Sequence, residues 1–258
     1  DPAEEIGWLF EAITPQESRR KLGQFRTPAT IADLMADWLI QDGTETVLDP
    51  GMGACALSAA AYREKQDKVD EPPLSDIYGA DINELALVMG ATSLTLMDHG
   101  DPHNLQIADF LDLELDDVDG VVDAVISNPP YSRHHELDEE YKQKVNSQAE
   151  RELGRDVSAL SPMYAYFYYH AAQFLRDGGR MSFITPSEFL ETSYGESLKQ
   201  FLLDEFDIKA LVLFDRDDSS KFDEAMTTSL VSFLEAPNRT DENELTQIVR
   251  VDGAPSEE

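Results

Sequence analysis

The stretch that decides the fold is residues 46–62, TVLDPGMGACALSAAAY. The apolar run from Thr46 to Leu48 ends at Asp49, and the Pro-Gly-rich residues that follow are typical of a tight turn. The alanine-rich segment from Ala54 to Tyr62 then has the composition of a helix. We therefore predict a buried strand, a sharp turn and a helix, the repeating unit of parallel α/β sheets.

The same alternation continues on both sides of this stretch. Upstream, Thr27 and Pro28 predict a helix start, with Thr27 as the N-cap. Strands that alternate with helices predict a mostly parallel sheet with helices on both faces. The predicted strands are 77–80, 105–107, 121–127, 180–184, 208–214 and 228–234, and the predicted helices are 83–97, 163–175 and 197–206.

The composition indicates a folded and very acidic protein. The 258 residues include 52 Asp and Glu against 20 Lys and Arg, a net charge of −32, and 41% hydrophobic residues, enough for a core. A single cysteine, Cys55, excludes an intramolecular disulfide and thiolate-cluster metal sites, and the histidines show no metal-ligand spacing. We expect no metal, no membrane span and a cytoplasmic location.

The acidic residues are spread along the chain, as on the surfaces of halophilic cytoplasmic proteins, and we expect a halophilic source. Net negative charge ordinarily argues against a nucleic-acid substrate. In concentrated salt, however, counterion release contributes little to DNA binding, so a basic surface adds less to the affinity for DNA. The charge therefore does not exclude DNA.

Three carboxylates follow predicted strands, at the ends where parallel sheets bind ligands. Asp49 precedes the glycine turn of Gly51 and Gly53, where the backbone can approach a ligand and the carboxylate can accept from an ammonium group. A purely structural turn is the alternative reading. At the second strand end, Asp81 can accept from ribose hydroxyls and Ile82 can pack on a purine face, or Asp81 is a helix N-cap. At the third, Asp109 beside Phe110 can accept from a purine amine, or the pair is a surface turn.

The most specific motif is Asn128-Pro129-Pro130-Tyr131, at the end of an apolar strand. Consecutive prolines fix an extended backbone that cannot continue a hydrogen-bonded ladder. The side-chain oxygen of Asn128 and the carbonyl of Pro129 can accept both hydrogens of an amino group. Tyr131 offers a flat face on which a base can stack.

Taken in order, these motifs resemble those of class I S-adenosylmethionine-dependent methyltransferases, and closely those of the γ-class N6-adenine DNA methyltransferases of restriction-modification systems. The resemblance extends from about Gly23 to Leu234. The chain departs from the family at Cys55, where a second glycine is usual. The matching pieces are Gly23 to Pro28, Asp49 to Gly53, Asp81, Asp109-Phe110, Asn128 to Tyr131, Gly178 to Pro186, and Phe222 to Ala225 with Thr227 to Ser229.

The resemblance implies a Rossmann-like, mostly parallel seven-stranded sheet and S-adenosylmethionine as cofactor. Thr27 and Asp49 would hold the methionine end, with Gly51 and Gly53 beside it. The ribose would meet Asp81, and the adenine would meet Ile82, Asp109 and Phe110. The catalytic residues would be Asn128, Pro129, Pro130 and Tyr131, with Tyr131 and Phe222 stacking on the target base.

The implied activity is methyl transfer to N6 of an adenine flipped out of double-stranded DNA. Two acceptors on the amine would aim its lone pair at the methyl group, and no general base is needed before attack. One alternative is methylation of RNA or of a protein glutamine. Another is a cofactor-binding subunit that is inactive without a partner recognition domain or specificity subunit.

The predicted organisation has three parts. Residues 1–22 form an N-terminal helical segment, and residues 23–235 form the catalytic domain, with a charged insertion at 132–160. Residues 236–258 are a polar tail with one strand at 248–251, and we expect no target-recognition domain in this chain.

Overall fold

The computed structural model describes residues 2–14, 27–98, 100–132, 138–154, 157–158, 160–214, 229–237 and 246–251. Within these ranges the helices are α1 (Pro2–Ile13), α2 (Ala29–Leu39), α3 (Ala56–Lys68), α4 (Glu84–Asp98), α5 (Glu139–Leu153), α6 (Met163–Phe174) and α7 (Glu196–Glu205). The strands are β1 (Val47–Pro50), β2 (Ile77–Asp81), β3 (Leu105–Ile107), β4 (Val122–Ser127), β5 (Leu175–Pro186), β6 (Asp207–Phe214), β7 (Ser229–Glu235) and β8 (Gln247–Val251). None of these described helices is long and apolar enough to cross a bilayer.

The strands form one sheet in the order β3-β2-β1-β4-β5-β7-β6-β8. The pairs from β3 to β5 are parallel, and β7 runs antiparallel to both of its neighbours. The predicted α/β sheet is confirmed, but among the described residues it has eight strands instead of the seven that the resemblance implied, because the strand expected in the tail at 248–251 joins it. The additional strand is β8, which pairs in parallel with β6 and satisfies the backbone groups along that edge.

Both faces of the central strands are buried, which is why their sequences are apolar without alternation. Val47 of β1 packs in one cluster with the helices α2, α3 and α4. Its neighbour Leu48 packs in the other cluster, against the aromatic helix α6 and α7. The sheet is therefore the middle layer of three, and its loop ends are where side chains reach solvent or a ligand.

The strand order reverses between β1 and β4, which lie side by side although two other strands separate them in the chain. This is the topological switch point at which open α/β sheets bind ligands. The Oγ of Ser127, the last residue of β4, donates to the carbonyl of Pro50, the last residue of β1, at 2.5 Å. The loops after the two strands thus start from a fixed separation.

Two segments differ from their sequence-based expectations. The first helix after the N-terminal segment begins at Ala29, and its N-cap position is occupied by Pro28 without a side-chain cap, so Thr27 is not the N-cap. The charged insertion contains a full helix, α5, which buries Val145 and Ala149 and begins at a true cap, Asp138.

Candidate functional site

A cavity of about 360 Å³ opens at the switch point. It is lined by every residue that the sequence assigned to the cofactor, together with two residues of the Asn-Pro-Pro-Tyr motif. These lining residues are Thr27, Asp49, Gly51, Gly53, Asp81, Ile82, Asp109, Phe110, Asn128 and Pro130. Motifs that lie far apart in the chain therefore share one site.

The glycine turn after β1 forms the floor of this cavity. The backbone amides of Gly51 and Met52 both donate to the carbonyl of Ala80, at 2.8 and 3.1 Å, which ties the turn to the end of β2. Gly51 and Gly53 have φ values of +72° and +54°, in the left-handed region that favours glycine. A Cβ at position 53 would meet nothing within 4 Å, so this backbone faces open space.

Cys55 replaces the glycine expected from the family, yet it has the glycine-like conformation, with φ +78° and ψ +23°. Its side chain is fully buried in the cluster around α2, α3 and α4 and is not among the residues that line the cavity. The cysteine therefore leaves the approach to the turn open, because its side chain packs on the helix side.

Asp49 is fully buried at the end of β1. Its Oδ2 accepts from the backbone amide and the hydroxyl of Ser58, at 3.2 and 2.6 Å. Its Oδ1 has no hydrogen-bond partner among the described residues. Burial raises the pKa of Asp49, the hydrogen bonds from Ser58 lower it, and the nearby Asp81 carboxylate raises it, with a net result of about 7. A cationic group in the cavity would give the Asp49 carboxylate a positively charged partner and would favour its ionised form.

Asp81 connects the end of β2 to the glycine turn. Its Oδ2 accepts from the amide of Gly53 at 2.8 Å and its Oδ1 from the amide of Asn83 at 2.7 Å. The cap of α4 is Asn83, whose Oδ1 accepts from Leu85, so the alternative reading of Asp81 as that cap is wrong. Burial raises the pKa of Asp81 despite these bonds. Next to it, Ile82 is 59% exposed and lines the cavity, so the cavity has an apolar wall there.

Asp109 lies at the third strand end, and both of its oxygens have protein partners. Oδ1 accepts from the amide of Leu111 at 3.1 Å and Oδ2 from the hydroxyl of Tyr141 at 2.7 Å. Phe110 is almost fully buried against Phe167, and only part of it borders the cavity. Tyr141, on α5, also lines the cavity, which the sequence analysis did not foresee.

The Asn-Pro-Pro-Tyr motif leaves β4 at the cavity edge. Nδ2 of Asn128 donates to Oγ1 of Thr27 at 3.0 Å, so the Thr-Pro and Asn-Pro-Pro-Tyr motifs are in direct contact although 101 positions separate the two residues. Pro130 lines the cavity, whereas Pro129 and Tyr131 are not among its described lining residues. Tyr131 packs on the core, its hydroxyl donates to the carbonyl of Ile184 at 3.2 Å, and burial raises its pKa.

Helix α1 closes one side of the cavity, a role that no motif in its sequence indicated. Ala3, Gly7 and Phe10 lie at helical spacing and line the cavity, while Phe10 also packs on Ala86 and Met89 of α4. Ala3 and Gly7, small residues four positions apart, were the available signal, but a short helix that packs on another helix shows the same pattern.

Two other predicted pieces lie outside the described residues: the run from Gly23 to Arg26, and the piece from Phe222 to Ala225 with Thr227 and Thr228.

Comparisons with known proteins agree with this reading of the fold. Residues 106–220 match the family described as "Eco57I restriction-modification methylase". The type II methyltransferase M.AccI of Acinetobacter calcoaceticus is 26% identical over 233 residues, covering 90% of this chain and 40% of that protein. The chain therefore spans well under half the length of this curated relative.

Two solved structures share the fold. A putative class I S-adenosylmethionine-dependent methyltransferase from Listeria monocytogenes has a TM-score of 0.69 at 17% identity, covering 97% of this chain and 73% of that one. The type IIL restriction-modification enzyme MmeI, in complex with DNA, has a TM-score of 0.72 at 15% identity, covering 99% of this chain and 42% of that one. Residues 106–220 thus match the Eco57I restriction-modification methylase family, and the chain has a fold similar to that of class I S-adenosylmethionine-dependent methyltransferases.

Proposed function

We propose that this chain is the catalytic part of a restriction-modification DNA methyltransferase, which transfers the methyl group of S-adenosylmethionine to N6 of an adenine lifted out of duplex DNA. The observation that carries the proposal is the single cavity shared by Asp49, Asp81, Asp109 and Asn128. Three strand-end carboxylates and an acceptor amide around one space suit a cationic nucleoside cofactor beside a substrate amine.

The residues of the cavity fit S-adenosylmethionine. The buried Oδ1 of Asp49 would accept from the ammonium of the methionine end, and Asp81 would take the ribose hydroxyls. The open space at Gly53 admits the cofactor close to the backbone, and the exposed face of Ile82 suits a purine ring. When bound, this cofactor supplies an electrophilic methyl group on a sulfonium sulfur.

Asn128 and the carbonyl of Pro129 would act on the substrate amine. The N6 lone pair of adenine is delocalised into the ring, so the amine is a poor nucleophile at rest. Two acceptors that bind its hydrogens favour a more tetrahedral nitrogen and localise the lone pair. The same oxygens stabilise the positive charge that develops on nitrogen, and the proton leaves afterwards.

Extruding the base from the duplex costs a few kcal/mol, and stacking offsets part of this cost. Tyr131 is the proposed stacking partner, and the bond from its hydroxyl to Ile184 supports a fixed ring position. Phe222 stays a proposed second aromatic.

The identity of the methylated group can be tested with labelled S-adenosylmethionine and three unmodified substrates: PCR-amplified genomic DNA, transcribed RNA and a glutamine-containing protein extract. We expect label in DNA alone, recovered as N6-methyladenine after digestion to nucleosides. Recovery as N4-methylcytosine would contradict the adenine assignment, and label in RNA or protein would favour those substrates instead.

A second candidate is a cofactor-binding unit that acts only with a separate recognition domain or specificity subunit. It is favoured by the net charge of −32, because a chain with 52 acidic and 20 basic residues offers few cations to DNA phosphates. Isothermal titration with S-adenosylmethionine and with duplex DNA distinguishes the two candidates. Cofactor binding without DNA binding or methyl transfer would support the second candidate.

A further inference from the structure

Thr27 and Asn128 are joined by a hydrogen bond in which Nδ2 of the amide donates to Oγ1 of the threonine at 3.0 Å. Thr27 is 4% exposed, and both residues line the cavity. We propose that Thr27 is a positioning residue for methyl transfer: its hydroxyl holds the nitrogen of the Asn128 amide, so that the amide oxygen is presented to the substrate amine. This inference rests on the proposed function and extends it.

The orientation matters because the two ends of an asparagine amide have opposite hydrogen-bonding character. The oxygen accepts and the NH2 group donates, while rotation about χ2 exchanges them with little change in shape. An exocyclic amine donates through its hydrogens, so only the oxygen end can bind it. A reversed amide would set two donors against each other and lose the acceptor on which the proposed reaction depends.

A threonine at this position is suited to the task. Its hydroxyl has one hydrogen and two lone pairs, so a lone pair can bind Nδ2 of Asn128 and leave the hydroxyl hydrogen for another acceptor. The β-branched side chain has restricted χ1, and Pro28 fixes the following backbone at the start of α2.

The Thr-Pro pair precedes α2 without capping it by a side chain, since the N-cap position is Pro28, and the Thr27 hydroxyl accepts from Asn128. The Thr-Pro motif then belongs with the Asn-Pro-Pro-Tyr motif as part of one acceptor assembly.

The test compares Thr27→Val, which removes the hydroxyl at similar volume, with Thr27→Ser, which keeps it. Single-turnover methyl transfer to PCR-amplified genomic DNA is measured at saturating S-adenosylmethionine, and cofactor affinity is measured by titration. We expect Thr27→Val to lower the saturating rate by about 10- to 100-fold and Thr27→Ser to stay within about threefold of the wild type. A rise in the cofactor Kd with an unchanged saturating rate would overturn the proposal.

A second readout does not depend on turnover. In ¹⁵N-labelled protein, the side-chain NH2 signals of Asn128 are identified by their loss in Asn128→Asp. We expect Thr27→Val to shift these signals and speed their hydrogen exchange, and Thr27→Ser to preserve both. Signals that are the same in Thr27→Val and the wild type would overturn the proposal. If the wild type transfers no methyl group to DNA, the proposed function fails, and the NMR comparison still decides whether Thr27 holds the amide.

Discussion

Cys55 and Gly90 occupy complementary positions: a Cβ atom on Gly90 would lie 2.9 Å from the Cβ of Cys55. Cys55 has a left-handed backbone, at φ +78°, that directs its side chain toward α4. The absence of a side chain at Gly90 makes room for it. The departure from the family glycine is therefore accommodated by a glycine on the neighbouring helix.

This pair predicts a coupled effect on stability. Gly90→Ala should destabilise the protein by about 2 kcal/mol, because overpacking outweighs the gain in helix propensity. Cys55→Gly should change stability by less than about 1 kcal/mol, since relief of backbone strain offsets lost packing. In the double variant the main clash is gone, so urea unfolding should give a favourable coupling energy of at least about 0.5 kcal/mol.

The matched control is Thr95→Ala, an exposed position on the same helix, combined with Cys55→Gly. Its coupling energy should be near zero. Additive effects for Cys55 and Gly90 would contradict the complementary packing.

Asp49 predicts a pH dependence of stability. Its pKa is about 7 in the folded protein against 3.8 unfolded, so the unfolded chain loses this proton first as the pH rises. Asp49 therefore lowers the free energy of unfolding progressively from about pH 4 to about pH 7, and no further above that. Between pH 5 and pH 8 its contribution should fall by roughly 3 kcal/mol.

Urea unfolding of the wild type and Asp49→Asn at both pH values isolates this effect from the other carboxylates. Relative to the wild type, the free energy of unfolding of Asp49→Asn should be higher at pH 8 than at pH 5. Asp116→Asn removes the same charge at an exposed site and should retain the wild-type pH dependence. An equal pH dependence in Asp49→Asn and the wild type would be inconsistent with a buried, unpaired Asp49 oxygen.

Helix α1 should contribute to cofactor affinity through its packing on α4. Phe10 is 6% exposed and Leu9 is 53% exposed on the same helix. Phe10→Ala should cost about 3 kcal/mol of local packing and loosen the cavity wall, which weakens S-adenosylmethionine binding at least about tenfold by titration. Leu9→Ala should bind as the wild type does, and equal affinity in both variants would exclude a role for α1.

The net charge of −32 predicts salt-dependent stability. Repulsion among exposed carboxylates is screened as the Debye length falls to about 3 Å at 1 M salt. The Tm should rise by at least about 5 °C between 0.05 and 1 M KCl. Sucrose at the same osmolality serves as the uncharged control, and a Tm that KCl leaves unchanged would remove the basis for expecting a halophilic source.

Much of the fold was predictable because its signals are local. The apolar run before Asp49 and the glycines after it mark β1 and its turn, and the predicted span of β3, 105–107, agrees with the structure. The parallel topology then places Asp49, Asp81 and Asn128 at one edge of the sheet without further information.

The features that sequence reasoning missed depend on contacts between distant segments. Thr27 is a residue type that often caps helices, but its hydrogen-bond partner is Asn128, which is 101 positions away in the chain. Tyr141 lies in a segment whose charge suggested an exposed insertion. In the structure α5 packs on α6, and the hydroxyl of Tyr141 donates a hydrogen bond to Asp109. No periodicity in the chain marks either contact.

The most direct test of the central claim is methyl transfer by Asn128→Ala. PCR-amplified genomic DNA is incubated with methyl-deuterated S-adenosylmethionine, and digested nucleosides are measured by mass spectrometry. Asn146→Ala removes an amide that binds Tyr166 outside the cavity and controls for loss of an asparagine. We expect labelled N6-methyladenine with the wild type and Asn146→Ala, and a loss of at least about 100-fold with Asn128→Ala at unchanged cofactor affinity. Equal label with Asn128→Ala and the wild type, or none with the wild type, would contradict the account.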